Sequence, residues 1–148
     1  MTTKALQTLT AVVEVGAGLA LLGLPSVTAS LLLGTPLEAP AAVSLARVGG
    51  AAIVALSIVC WLARRDVDSD ASQGVIIALL FYNFAVAAVL ALAGLDGHGV
   101  LLWPAVVFHV AMATWCEIAC ATMLSRRSRT RRSLRYRSSM LPNQPKPA

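Results

Sequence analysis

The chain has 148 residues, 57% of them hydrophobic and 13% charged, with a mean hydropathy of +0.75. An ordinary soluble domain carries about a quarter charged residues, so this composition excludes a water-soluble fold, which would lack the polar material to cover its surface. The formal charge of +5 is a local feature, since seven of the twelve Lys and Arg lie between Arg126 and Arg137.

Four apolar runs separated by short polar breaks predict a polytopic, all-α membrane protein. The first span is expected from Ala5 to Leu24, the second from Ala41 to Leu62, the third from Gly74 to Gly94 and the fourth from Val100 to Leu124. Each is about 20 residues or slightly more, enough to cross about 30 Å of hydrocarbon. The expected fold is an antiparallel four-helix bundle over residues 1–124, followed by an arginine-rich, disordered cytoplasmic tail over 125–148. A cleaved signal peptide is the competing reading of span one, because "VTAS" offers a small-residue site after Ala29. Glu14 inside the apolar run, and the length of that run, argue against it.

In span one, Gln7, Thr10, Glu14 and Gly18 share a helical stripe. The connection "PSVTASLLLGTPLEAP" predicts a short interfacial helix with Ser26 as its N-cap, Val27, Leu31 and Leu32 facing the bilayer, and Gly34 as its stop. In span two, Ser44, Arg47, Gly50 and Ala51 fall together. Ala42, Ala46 and Gly50 give a small-xxx-small run that permits close helix approach. Span three places Tyr82 and Asn83 near its middle. In span four, His109, Met112, Cys116, Cys120 and Met123 fall within about 80° on the helical wheel, with Glu117 at the edge.

Lys4, Arg64-Arg65 and "SRRSRTRRSLRYR" all fall on one side of a four-span chain, and the loops "GTPLEAP" and "LDGHG" carry no Lys or Arg. The positive-inside rule therefore predicts cytoplasmic termini and a bacterial inner-membrane location. Trp103 and Trp61 suit the outer and inner interfaces.

Depth counting at 1.5 Å per residue predicts a polar column of Arg47, then Glu14, Asn83 and His109, then Glu117, with Arg47 and Glu14 as a charge pair. Its structural reading is interhelical hydrogen bonding, on the order of 1 kcal/mol each. Its functional reading is a proton, ion or small-metabolite path. Internal repeats and interrupted helices, the usual marks of a transporter, are missing from the sequence. His109, Met112, Cys116 and Cys120 offer ligand types suited to a soft metal, and Cys60 lies at the depth of Cys120, but no tight ligand motif accompanies them. A bis-histidine haem is excluded by the separation of His98 from His109, and no cofactor is expected. Phosphate-binding glycine loops, His-Glu-x-x-His and Gly-x-Ser-x-Gly are absent. Arg126, Arg127, Arg129, Arg131, Arg132, Arg135 and Arg137 are read as a topology signal that also meets anionic lipid headgroups. Nucleic acid is not an expected partner, since no aromatic stacking pattern accompanies the arginines.

The segments "GLALLGLPSVTASLLLG", "ARVGGAA" and "GLDGHG", in that order, resemble small bacterial four-helix membrane proteins of the DoxX-like type over Leu19 to Glu117. The resemblance implies a compact four-helix bundle. The family name comes from a subunit associated with membrane quinone and sulfur redox chemistry, and the resemblance carries no catalytic residues to this chain. Together these readings predict a non-enzymatic membrane component, an accessory or structural subunit that packs against itself or a membrane-complex partner.

Overall fold

The computed structural model describes residues 3–95, 97 and 99–140. Among the described residues the chain forms helices and no strand: α1 (Thr3–Gly23), α2 (Pro25–Leu33), α3 (Pro40–Ala63), α4 (Asp70–Ala93) and α5 (Leu102–Met140). Four of these, α1, α3, α4 and the Leu102–Ser125 part of α5, are long and apolar enough to cross a membrane. At most 33% of any such span is buried inside the chain. The outer surface is correspondingly apolar, with Leu45, Phe81, Phe84 and Val107 all more than 65% exposed. In water that surface would drive association; in a bilayer it faces hydrocarbon, as a multi-pass membrane protein requires.

Helix ends follow local chemistry. Proline stands at the first position of α2 and of α3, where its missing N–H costs nothing. Ser69 caps α4, its side chain accepting from the Ser72 amide at 3.1 Å, and Asp70 in the first turn favours the helix dipole. That cap starts the helix four residues before the Gly74 predicted from hydropathy. The short helix between the first two spans is present and stops at Gly34, whose φ of 81° suits glycine and whose N–H bonds to Ser30 O. Its N-cap is Leu24 and not Ser26; the Ser26 hydroxyl instead donates to Leu37 O at 3.0 Å, pinning the loop that returns to α3.

The expected tail differs more. Helix α5 runs on through Met140 without a break at the end of its apolar part. Its sequence explains this: no Gly or Pro falls between Ser125 and Met140, and arginine is a good helix former. Residues 141–148, also expected to be disordered, lie outside the described residues, as does His98.

Helix α1 packs most extensively on α3, and α4 on α5. The α1–α3 contact is set by two glycines. A Cβ on Gly18 would lie 2.7 Å from Val54 Cγ2 and 2.8 Å from Gly50 O; one on Gly50 would lie 2.7 Å from Gly18 O and 2.9 Å from Leu22 N. Between the helices sits a core of Leu6, Cys60, Ile76, Leu79, Met112 and Cys116.

The loop before α5 closes one end of the bundle. Gly99 N–H donates to Leu32 O at 3.0 Å and Leu101 N–H to Leu31 O at 2.9 Å, so the loop satisfies carbonyls that α2 leaves free at its C-terminus. A Cβ on Gly99 would drive into the Leu31 carbonyl. Gly99→Ala is therefore expected to release the loop, costing about 1–3 kcal/mol through two lost backbone hydrogen bonds. Hydrogen exchange checks this: the Gly99 and Leu101 amides should be protected in the wild type, and the Leu101 amide should exchange faster in the variant.

Candidate functional site

One polar stripe of α1 points inward, while Lys4 on the same helix is exposed. Gln7, Thr10, Glu14 and Gly18, the stripe read from the sequence, are buried together. Gln7 Nε2 donates to Ser72 Oγ of α4 at 2.9 Å. Two turns further on, Tyr82 Oη of α4 donates to Glu14 Oε2 at 2.9 Å. These two bonds join α1 to α4 across the bundle.

Asn83, beside Tyr82, joins α4 to α5. Its Nδ2 donates to Leu79 O at 2.8 Å, and its Oδ1 meets His109 Nδ1 at 2.8 Å. The His109 ring lies edge-on to Tyr82, with centroids 5.8 Å apart, and edge-on to Phe108 at 5.4 Å. Glu14, Tyr82, His109 and Asn83 therefore form one contiguous polar group inside the bundle. Glu14 is 3% and Asn83 1% exposed. Groups buried this deeply are costly unless hydrogen-bonded, and these find their bonds inside the protein.

Of the five residues expected to form a column, the structure brings together Glu14, Asn83 and His109. Arg47 and Glu117 are exposed on the outside of the bundle. Among the described residues no ion pair joins Arg47 to Glu14, whose carboxylate accepts from Tyr82 instead. The reason is rotational. A helical wheel gives angles between residues on one helix, not which direction faces the core. The Gly18–Gly50 approach fixes the rotation of α3, so that Gly50, Ser57 and Cys60 face in and Arg47 faces out. On α5, Leu102, His109, Met112, Cys116 and Ala119 face in. Glu117, about 100° round from Cys116, faces out.

Glu117 instead closes one end of a surface groove between α4 and α5, of about 390 Å³, lined by Phe84, Ala87, Ala91, Val110 and Ala113 among others. Thr114, also on its wall, donates its hydroxyl back to Val110 O and offers the groove little.

Cys60, Cys116 and Cys120 are free thiols, the first two buried. Met112, Cys60 and Cys116 share the apolar core, with Cys120 packed against it. Among the described residues no three His, Cys, Asp or Glu side chains converge as a metal site. At the far end of α3, the Arg64 guanidinium stacks 3.3 Å from the Trp61 ring centre, where an indole and a cation suit a membrane interface. Arg129 is exposed. The side chains of Arg126, Arg127, Arg131, Arg132, Arg135 and Arg137, expected to meet headgroups, fall outside the described residues.

Two partners escaped the sequence reading. Ser72 lay before the predicted start of the third span, and nothing local marked Tyr82 as the ligand of Glu14. A signal existed for the first: Ser72, Ile76, Leu79 and Asn83 follow helical spacing and are all buried. Comparison with protein-family models, curated proteins and solved structures finds no match to this chain.

Proposed function

We propose that this chain is a non-enzymatic subunit of a bacterial inner-membrane assembly, an antiparallel four-span bundle with both termini in the cytoplasm. Helix register supports the topology. Along α1, Gly18 meets Val54 and Leu22 meets Gly50, so α3 runs back as α1 advances. Gln7 bonds Ser72 and Glu14 bonds Tyr82, so α1 and α4 advance together. That arrangement gathers Lys4, Arg64-Arg65 and the arginines of α5 at one end, which the positive-inside rule assigns to the cytoplasm. The same arginines then face anionic headgroups.

The observation that carries the subunit reading is Glu117. It lies eight residues before Ser125, about 12 Å from the end of the span, and it is exposed. A glutamate side chain is too short to reach the headgroups from there. Ionisable groups at membrane depth ordinarily face a bundle interior, so the bundle continues beyond this chain. The alanines of the adjoining groove permit close approach of another helix. Its occupant is a transmembrane helix of a neighbouring subunit that brings a hydrogen-bond donor to the depth of Glu117. Arg47 makes no such demand. It lies seven residues into α3, and its long side chain reaches the headgroups by snorkelling. The DoxX-like resemblance points the same way, toward a compact bundle working beside other membrane subunits.

Extraction from native membranes in lipid nanodiscs, followed by native mass measurement, tests this. The wild type is expected in a particle heavier than one 15.5 kDa chain, and Glu117→Leu is expected to shift it toward the single chain. A single-chain wild type would overturn the proposal. Additional mass in multiples of 15.5 kDa identifies the neighbour as a second copy; any other mass identifies a different protein.

The paired interior supports a structural role for the remaining polar residues. Gln7–Ser72, Glu14–Tyr82 and Asn83–His109 tie three helices together, as polar residues do where lipid offers no competing partner.

A further inference from the structure

A transmembrane neighbour beside Glu117 is either a second copy of this chain or a different protein, and the outer surface of the chain decides between them. Copies of one chain insert with the same orientation, so a second copy meets Glu117 only with residues at the same depth. Glu117 lies eight residues from the cytoplasmic end of its span; the same count reaches Ala11 on α1, Ala55 on α3 and Ala78 on α4. Within about one turn of those three positions the exposed side chains are apolar, among them Leu9, Val12, Ile58, Ile77 and Phe81.

A carboxylate at membrane depth pairs with a cation, and this chain has none to offer there. Lys4 and Arg64-Arg65 stand at the cytoplasmic end. Helical side chains lean toward the start of their helix, which carries the Glu117 carboxylate away from that end. Arg47 stands eight residues from Ala55, about 12 Å nearer the opposite face. His109 is buried and bonded to Asn83. The neutral donors are engaged as well: Thr8 and Thr114 donate to carbonyls of their own helices, Tyr82 donates to Glu14, and Trp115 packs against the core. A two-fold pair through the groove would bring two Glu117 carboxylates to one depth on facing helices, adding a like charge and no counter-charge.

We propose that the groove between α4 and α5 receives a membrane helix of a different protein, one that carries a lysine or arginine at the depth of Glu117. The inference rests on the assembly reading and adds the class of the partner: heterologous, and basic at that depth. Ala87, Ala91 and Ala113 on the groove walls let the backbone of that helix approach closely.

Two preparations of the full chain in nanodiscs separate this proposal from the assembly reading. Made in a cell-free system, where no other membrane protein is present, the chain is expected as a single 15.5 kDa species by native mass measurement. Taken from native membranes, it is expected in a heavier particle. Self-association of the cell-free chain would overturn the different-protein proposal and leave the assembly reading standing; a single chain in both preparations would overturn both. A photo-crosslinking amino acid at Thr114, on the groove wall, then identifies the neighbour in native membranes. The expected adduct is a membrane segment of another protein with a lysine or arginine within about one turn of the attached residue. Glu117→Gln is expected to lower its yield at least about tenfold, because truncating one partner of a buried charge pair speeds dissociation. Replacing the basic residue of the partner with glutamine should do the same. An adduct with a second copy, an adduct with a segment lacking a basic residue, a yield unchanged in Glu117→Gln, or no adduct at all would overturn the proposal.

Discussion

Replacing Gly50 with valine is expected to separate α1 from α3 and destabilise the bundle by about 3 kcal/mol, the upper part of the range for overpacking a close contact. Backbone oxygen and nitrogen of α1 lie 2.7 and 2.9 Å from where even the first added carbon would sit. Neither atom can move without its helix, so the helices must part by roughly 1 Å, and dispersion contacts weaken steeply over such a gap. No hydrophobic gain offsets this, because lipid tails are as apolar as the side chains they would replace. The neighbouring Gly49 supplies the control. A Cβ there meets nothing within 4 Å, so Gly49→Ala should be as stable as the wild type or up to about 1 kcal/mol more stable, alanine being the better helix former. Both variants can be compared by reversible unfolding in mixed micelles, read from tryptophan fluorescence. A Gly50→Val protein as stable as Gly49→Ala would show that the glycine contact does not hold the pair. Since α1 also carries Glu14, the same variant should disturb the bond to Tyr82.

The features legible in the sequence were those that depend on one helix at a time. Span positions follow from apolar length, and all four spans were placed to within a few residues at the ends set by loop chemistry. The α1 stripe is legible because Gln7, Thr10 and Glu14 are polar residues at helical spacing, and lipid sorts such a face inward. The inner face of α5 followed from the same spacing, with His109, Met112 and Cys116 buried.

What stayed hidden depends on two helices at once. Nothing in the spacing of α3 reveals that Gly50 rather than Arg47 marks the inward direction. That choice is made by Gly18, more than thirty residues earlier. For the same reason the Glu14–Tyr82 bond is not legible in the sequence: Arg47 is the more obvious partner by charge, but it faces out of the bundle, and the long Tyr82 side chain reaches Glu14 from α4. The continuation of α5 was missed for a different reason. Charge density argued for disorder, whereas unbroken helix propensity joined to a stable span argued for continuation. A helix already nucleated inside the bundle extends one residue at a time without paying nucleation again.

Replacing Asn83 with leucine is expected to cost about 1–3 kcal/mol, the penalty for leaving a buried donor unsatisfied. The donor is His109. Asn83 Nδ2 is committed to Leu79 O, which turns Oδ1, an acceptor, toward the ring. The bond at 2.8 Å then requires the proton on Nδ1; the other tautomer would set two acceptors face to face. Side-chain nitrogen-15 spectra of His109 should therefore show Nδ1 protonated and Nε2 bare in the wild type. The ring keeps its Nδ1 proton only while Asn83 accepts it, so Asn83→Leu should let the proton redistribute toward Nε2. Stability gives the second measure. In a double-mutant cycle with His109→Leu, removing both partners should cost less than the sum of the single losses, by roughly 0.6–1.7 kcal/mol, the range for interhelical hydrogen bonds in membranes. Additive losses, agreeing within about 0.3 kcal/mol, would show that the two residues do not act as a pair. A wild-type ring protonated at Nε2 would show that Asn83 does not set its tautomer. The pair matters beyond its own energy, because it is the hydrogen bond that holds α5 to α4 at the level of Tyr82. It thereby keeps the ring of His109 edge-on to the ring of Tyr82, whose hydroxyl serves Glu14.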